Sequence, residues 1–171
     1  MNCTFDRIRS RMVIVLATVV SLALLPAPVV GGPTKLPPGL FVDAAPANAM
    51  GVGEARKTAQ EGKPVVIRGR VGGVAKPIAD KYAMFLMSDM ALALCQDGCA
   101  DLCHIPREQL LANLATVQVV DHTGRPLKAD IQGMNGLRPL SEVIIQGVVA
   151  KVDKNVMIVN ARSIFVNRAG K

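Results

Sequence analysis

Residues 95–104 read CQDGCADLCH and hold three of the chain's four cysteines and one of its two histidines. Three thiols and an imidazole form a Cys3His set, a closed tetrahedral combination that holds zinc, and thiolates equally suit Cu(I). Asp97 and Asp101 offer carboxylate oxygens. Met84, Met87 and Met90, three residues apart just upstream, offer thioethers to copper or simply pack a core. The spacing Cys95-x3-Cys99-x3-Cys103-His104 differs from zinc knuckles, which use two-residue gaps and draw ligands from two segments. Cysteines four apart also reach one another across a turn, and Gly98 eases one. A disulfide between any two of the three, with one thiol left over, is therefore open. In an oxidising compartment such a stapled loop, with no cofactor, is the first expectation. A zinc or copper site on Cys95, Cys99, Cys103 and His104 is the alternative.

Other chemistry is thin. Haem attachment needs C-x-x-C-H, and Cys99–His104 is one residue too long. A thioredoxin-type pair needs C-x-x-C at a helix start in a βαβ unit, and both are missing. GRVGG (69–73) has the glycines of a phosphate loop but no Gly-Lys-Ser/Thr and no following helix. No Ser-His-Asp set or paired carboxylates stand out, so no enzymatic activity is expected. Arg68 and Arg70 share one face of a predicted strand and define a polyanion-binding alternative, or a solvated sheet face. Single-strand binders stack bases on aromatic platforms. Tyr82, Phe85 and Phe165 are the aromatics from Gly51 onward, and Phe85 reads as core, so nucleic acid is not an expected partner.

The elements that must position these residues begin after an export signal. Arg7, Arg9 and Arg11 precede the charge-free run MVIVLATVVSLALL (12–25), and Pro26 and Pro28 break it. A basic segment, a short apolar segment and a break describe a signal peptide over 1–28, with an uncleaved N-terminal anchor as the alternative. Residues 29–52 are rich in Pro, Gly and Ala without periodicity and read as a disordered or extended linker. From Gly51 onward, 16 Lys and Arg face 11 Asp and Glu, so +5 of the chain's +7 belongs to the folded part. That charge is spread without blocks and suits a solvated surface.

The domain over 53–168 alternates short apolar runs with turn residues. GEARKTAQEGKP predicts a helix ended by Gly62 and Pro64. PVVIRGRVGGV predicts a strand, 82–95 one strand or two with a break near Ser88, and PREQLLANLA a helix opened by Pro106. TVQVVDHTGRPLKADIQG predicts a hairpin over 116–133, and 142–152 with 155–166 a last strand pair joined by Asp153-Lys154-Asn155. VVIRGRV (65–71) and VIIQGVV (143–149) each carry glycine at the fifth position. Two strands that bend sharply are what closing a small barrel requires. The expectation is mainly β: five to six strands and one or two short helices in a small OB-like barrel.

VVIRGRV, TVQVVDHTGRPLKADIQG, VIIQGVVAKVD and NVMIVNARSIFV resemble the strands of an OB-fold barrel. More narrowly, the chain resembles a group of small exported OB-like proteins of planctomycete-type bacteria, with a cysteine-bearing segment after the second strand. The resemblance covers roughly residues 54–166. It implies a barrel and an exported location, periplasmic, cell-surface or secreted, and no particular activity. The helix at 106–115 departs from the usual arrangement, since it precedes the third strand. Together these readings predict an exported, non-enzymatic binding or structural domain. Its partner would be a protein or small ligand at the cell envelope, with membrane contact only through an uncleaved N-terminal segment.

Overall fold

The computed structural model describes residues 35–95 and 98–168; the predicted signal segment lies outside them. Five strands close a barrel. Strand β3 (Pro64–Val71) buries Val65, Ile67, Gly69 and Val71 and turns Val66, Arg68 and Arg70 outward, the period-two alternation of a half-buried strand. It pairs antiparallel with β4 (Met84–Ser88), which pairs antiparallel with β5 (Leu114–Gln118). Strand β6 (Glu142–Val152) pairs antiparallel with β7 (Met157–Val166) and returns to β3, and β5 meets β7 in parallel. The circuit β3–β4–β5–β7–β6–β3 is a closed mixed barrel of the OB-like kind, as expected from the strand pattern. Its core includes Ile67, Phe85, Met87, Val117, Ile145, Met157 and Ile164, all 2 % exposed or less.

The two heptapeptides that share a fifth-position glycine lie against each other. Val65 faces Gly147 and Val143 faces Gly69. A Cβ on Gly69 would lie 2.5 Å from the Ser88 carbonyl oxygen, and one on Gly147 would overlap the Asn160 carbonyl. Both glycines therefore permit a close backbone approach, and β6 bulges against β7 at Gln146/Gly147.

Three expectations change. First, part of the predicted linker is built into the barrel. β1 (Phe41–Val42) pairs with β7 at Ile164–Phe165, and β2 (Met50–Gly51) pairs with β3 at Ile67–Arg68. These are the stretches of β7 and β3 that β5 and β4 leave uncovered, so each two-residue strand protects an otherwise open edge. Leu40 and Val52 are buried beside them. Strands of two residues leave no side-chain period for a sequence to display. Second, the predicted hairpin over 116–133 has no second strand. Pairing beyond Gln118 continues through the Leu127 N–H to the Val119 carbonyl, 2.8 Å, and a Val120–Pro126 bridge. Pro126 has no N–H to extend the ladder, and the chain continues to a single 3-10 turn at Met134–Gly136. Third, the first helix, α1, spans Val52–Thr58 and ends four residues before Gly62.

Helix α1 seats Val52 and Ala55 in the core. Asp89, just beyond β4, accepts a hydrogen bond from the Gly53 N–H at 2.7 Å and so caps a helix that has no side-chain cap of its own. Helix α2 (Arg107–Ala112) follows Pro106 and precedes β5. No helix among the described residues is long and apolar enough to cross a membrane.

Candidate metal centre

The cysteine segment is the connection between β4 and α2, and four attachments set its shape. At its start, the Asp89 Oδ1 accepts the Ala91 N–H at 2.8 Å and Leu92 is buried. The Gly98 N–H then donates to the Cys95 carbonyl at 2.8 Å, with Gly98 at φ 65°, a left-handed turn that suits glycine. The Ala100 carbonyl accepts the Gly73 N–H at 2.6 Å. A Cβ on Gly72 would approach that same carbonyl to 3.0 Å, so within GRVGG it is Gly72 that makes room for this loop. Finally Leu102, 1 % exposed, anchors the segment although its φ is 52°.

Leu102 lies between two site residues, Asp101 and Cys103. Its left-handed backbone turns the chain so that Cys95, Cys99 and Cys103 meet Asp101. The three Sγ atoms and one Asp101 carboxylate oxygen all lie within 4.8 Å of one another. Cys95 Sγ is 3.9 Å from Cys103 Sγ, 3.9 Å from Asp101 Oδ1 and 3.3 Å from His104 Nδ1. Cys99 Sγ donates to Asp101 Oδ1 at 3.0 Å, and the Cys103 N–H reaches the same oxygen at 3.4 Å. Cys95, Cys99 and Asp101 are half-buried, and Cys103 and His104 are exposed.

Sulfurs bound to zinc at about 2.3 Å in a tetrahedron stand roughly 3.8 Å apart. The Cys95–Cys103 separation already has that value, and the widest spacing in the group exceeds it by about 1 Å at most. The cluster can therefore hold a metal ion through three sulfurs and a carboxylate.

Packing thiols around a carboxylate has an electrostatic consequence. The Cys99 thiol is pushed up to about 12, first by its hydrogen bond to Cys95 and then by Asp101. The Cys103 thiol is raised, chiefly through Cys95. Asp101 is held below the usual carboxylate range because the Cys99 thiol donates to it. The two raised thiols resist ionising beside one another and the ionised Asp101 carboxylate, a repulsion that a cation relieves.

Of the residues singled out by sequence, the structure joins Cys95, Cys99 and Cys103 but puts Asp101 at their centre, with His104 touching only Cys95. The expected disulfide is not formed: all three cysteines are free. Asp97 lies outside the described residues. The upstream methionines do not converge on the sulfurs: Met87 is core, and Met90 lines a separate groove. Arg68 and Arg70 share the outer face of β3, as predicted. Arg68, however, is engaged by Glu142, Nε to Oε1 at 2.6 Å, so the two do not form one cationic pair. Phe85 is core and Tyr82 exposed.

No protein-family model matches the chain, and no curated protein does. Among solved structures, it is similar to the hypothetical protein ygiW from E. coli, at 19 % identity and a TM-score of 0.39. The match covers 70 % of this chain and 90 % of that one.

Proposed function

We propose that this chain is an exported, non-enzymatic OB-like domain that binds a soft metal ion, zinc first and Cu(I) second. It would do so through Cys95, Cys99, Cys103 and Asp101. The convergence of these four groups within 4.8 Å carries the reading. Zinc takes precedence because Asp101 is a hard oxygen donor, which zinc accepts beside thiolates and Cu(I) does not favour. His104, 3.3 Å from Cys95, is placed to replace Asp101 or to become a fifth ligand. The basic N-terminus with its apolar run supports export, and the resemblance to small exported OB-like proteins agrees with it. The partner is then a donor or acceptor of metal at the cell envelope.

The site has the character of one that exchanges its ion. Structural zinc sites tie distant segments together, and their metal supplies folding energy. Here all four ligands come from nine consecutive residues, and none belongs to the main core cluster. Cys103 is open to solvent, so an incoming thiol or imidazole can attack the ion from that side.

Elemental analysis with thiol titration tests the proposal. One equivalent of zinc or copper, lost in Cys99→Ser, is expected. Co(II) substitution should show the intense visible bands of tetrahedral thiolate coordination. No uptake of zinc, Co(II) or Cu(I) by the reduced protein would end the reading. A second reading is the cysteine-stapled loop, favoured by the 3.9 Å between Cys95 and Cys103. Those two thiols would give two electrons and two protons to an envelope disulfide oxidant, leaving Cys99 beside Asp101. A single titratable thiol and no metal would mark that state.

A further inference from the structure

On the β3–β6–β7 side of the barrel, a groove of about 940 Å³ runs beneath the 133–141 loop. Its size falls within the range of about 300–1,000 Å³ typical of small-molecule sites. Its walls are part apolar, from Met90, Leu140 and Val166, and part cationic, from Arg70, Arg138 and Arg168. The arginines differ in what they already touch. Arg168 pairs with Asp43 at 3.2 Å. Glu142, the one carboxylate of the lining among the described residues, is occupied by Arg68 on one oxygen and by the Asn167 amide on the other. Arg70 has no such partner: its Nη1 is buried with no hydrogen bond. Arg138 engages Ser141 only through its backbone, its N–H donating to the hydroxyl and its carbonyl accepting the Ser141 N–H at 3.0 Å.

A buried guanidinium nitrogen without an acceptor is costly and calls for a reason. Two further features mark the same place. Asn135 and Leu140, both on the groove, hold left-handed backbones at φ 52° and 68°. Non-glycine strain of this kind collects at ligand sites. The Ser141 hydroxyl also braces the loop, donating to the Gly136 carbonyl at 3.1 Å and accepting the Arg138 N–H at 3.1 Å.

We infer that this groove binds a small molecule with an oxyanion head on an apolar body, its carboxylate or phosphate taken by Arg70 and Arg138. The fork of donors on a guanidinium matches both oxyanions. Met90, Leu140 and Val166 cover the body of the ligand. Arg68, committed to Glu142, takes no part.

Titration of the 15N-labelled protein with octanoate, octyl phosphate and octanol tests this. Saturable shifts of the 133–141 amides with octanoate or octyl phosphate, and none with octanol, are expected. Comparing the two anions shows which head the site prefers. Affinity should fall at least tenfold in Arg70→Met and stay within twofold in Arg68→Met. Because Arg70 is unpaired, Arg70→Met should melt no lower than the parent without ligand. Absence of saturable shifts with either anion overturns the inference. So does equal affinity in Arg70→Met, or a clear loss of melting temperature in that variant, which would make Arg70 a structural residue.

Discussion

Asp153 shows how one side chain closes a turn that the sequence only marks. Its Oδ1 accepts the Asn155 N–H at 2.8 Å and the Val156 N–H at 2.9 Å, and Lys151 stands 3.4 Å from Oδ2. Its backbone carbonyl accepts Arg56 Nη2 at 2.8 Å, tying the turn to α1. The amide bonds from Asn155 and Val156 hold the carboxyl below the usual range. A folded value below the unfolded one of about 3.9 means that the group adds stability above that pH. The contribution is lost as pH falls through the lowered value. Carbon-13 titration should therefore find Asp153 ionising below 3.9, and Asp153→Asn should flatten the acid limb of the stability curve. Proline-free Asp-Lys-Asn was readable as a turn because such residues serve turns. Leu102 was not: nothing in a leucine announces φ 52°, which only its burial enforces. Asp101 was readable only as an auxiliary oxygen for the same reason. Its place at the centre depends on that turn.

At the scale of elements, the paired strands β3 and β6 carry the clearest message. Gly69 and Gly147 leave no room for a methyl group: the nearest atoms are backbone carbonyls, which cannot move aside as a flexible side chain would. Gly69→Ala and Gly147→Ala should each lower stability by about 1–3 kcal/mol, as overpacking does. Urea unfolding would read this as a lower midpoint with an unchanged m-value. Gly69 and Gly147 could be read from sequence because a repeated glycine within alternating apolar runs has few other uses. The edge strands β1 and β2 could not. Backbone pairing to β7 and β3 makes them, and their side chains follow no period. The false second arm of the 116–133 hairpin is the converse case. Its alternation persists, but Pro126 and the Asp121 turn lead the chain away from the sheet. There the Asp121 carboxylate takes the Thr123 N–H at 2.7 Å and the Arg125 N–H at 3.1 Å.

For the whole molecule, the barrel and the cysteine loop are separable. Leu92 and Leu102 are the buried apolar side chains of the described loop, and neither belongs to the main core cluster. Removal of metal by a chelator should thus leave the far-UV circular dichroism and the cooperative unfolding of the barrel in place. It should loosen only amides near 91–105, read as faster hydrogen exchange. A chain that unfolds globally on chelation would instead have a structural site. By itself the sequence determined the closed β architecture, because period-two burial and the two bending glycines are local properties that each strand carries with it. It also gathered three of the four thiols into residues 95–104, where any thiol chemistry of the folded part must lie. Tertiary structure decided the rest. It chose Asp101 over His104 as the fourth group, and it separated Arg70 from Arg68. Both outcomes depend on contacts between residues far apart in the chain: Gly73 with Ala100 for the loop, and Arg68 with Glu142 for the groove. Sequence spacing does not encode such distances until the barrel closes and brings its ends together.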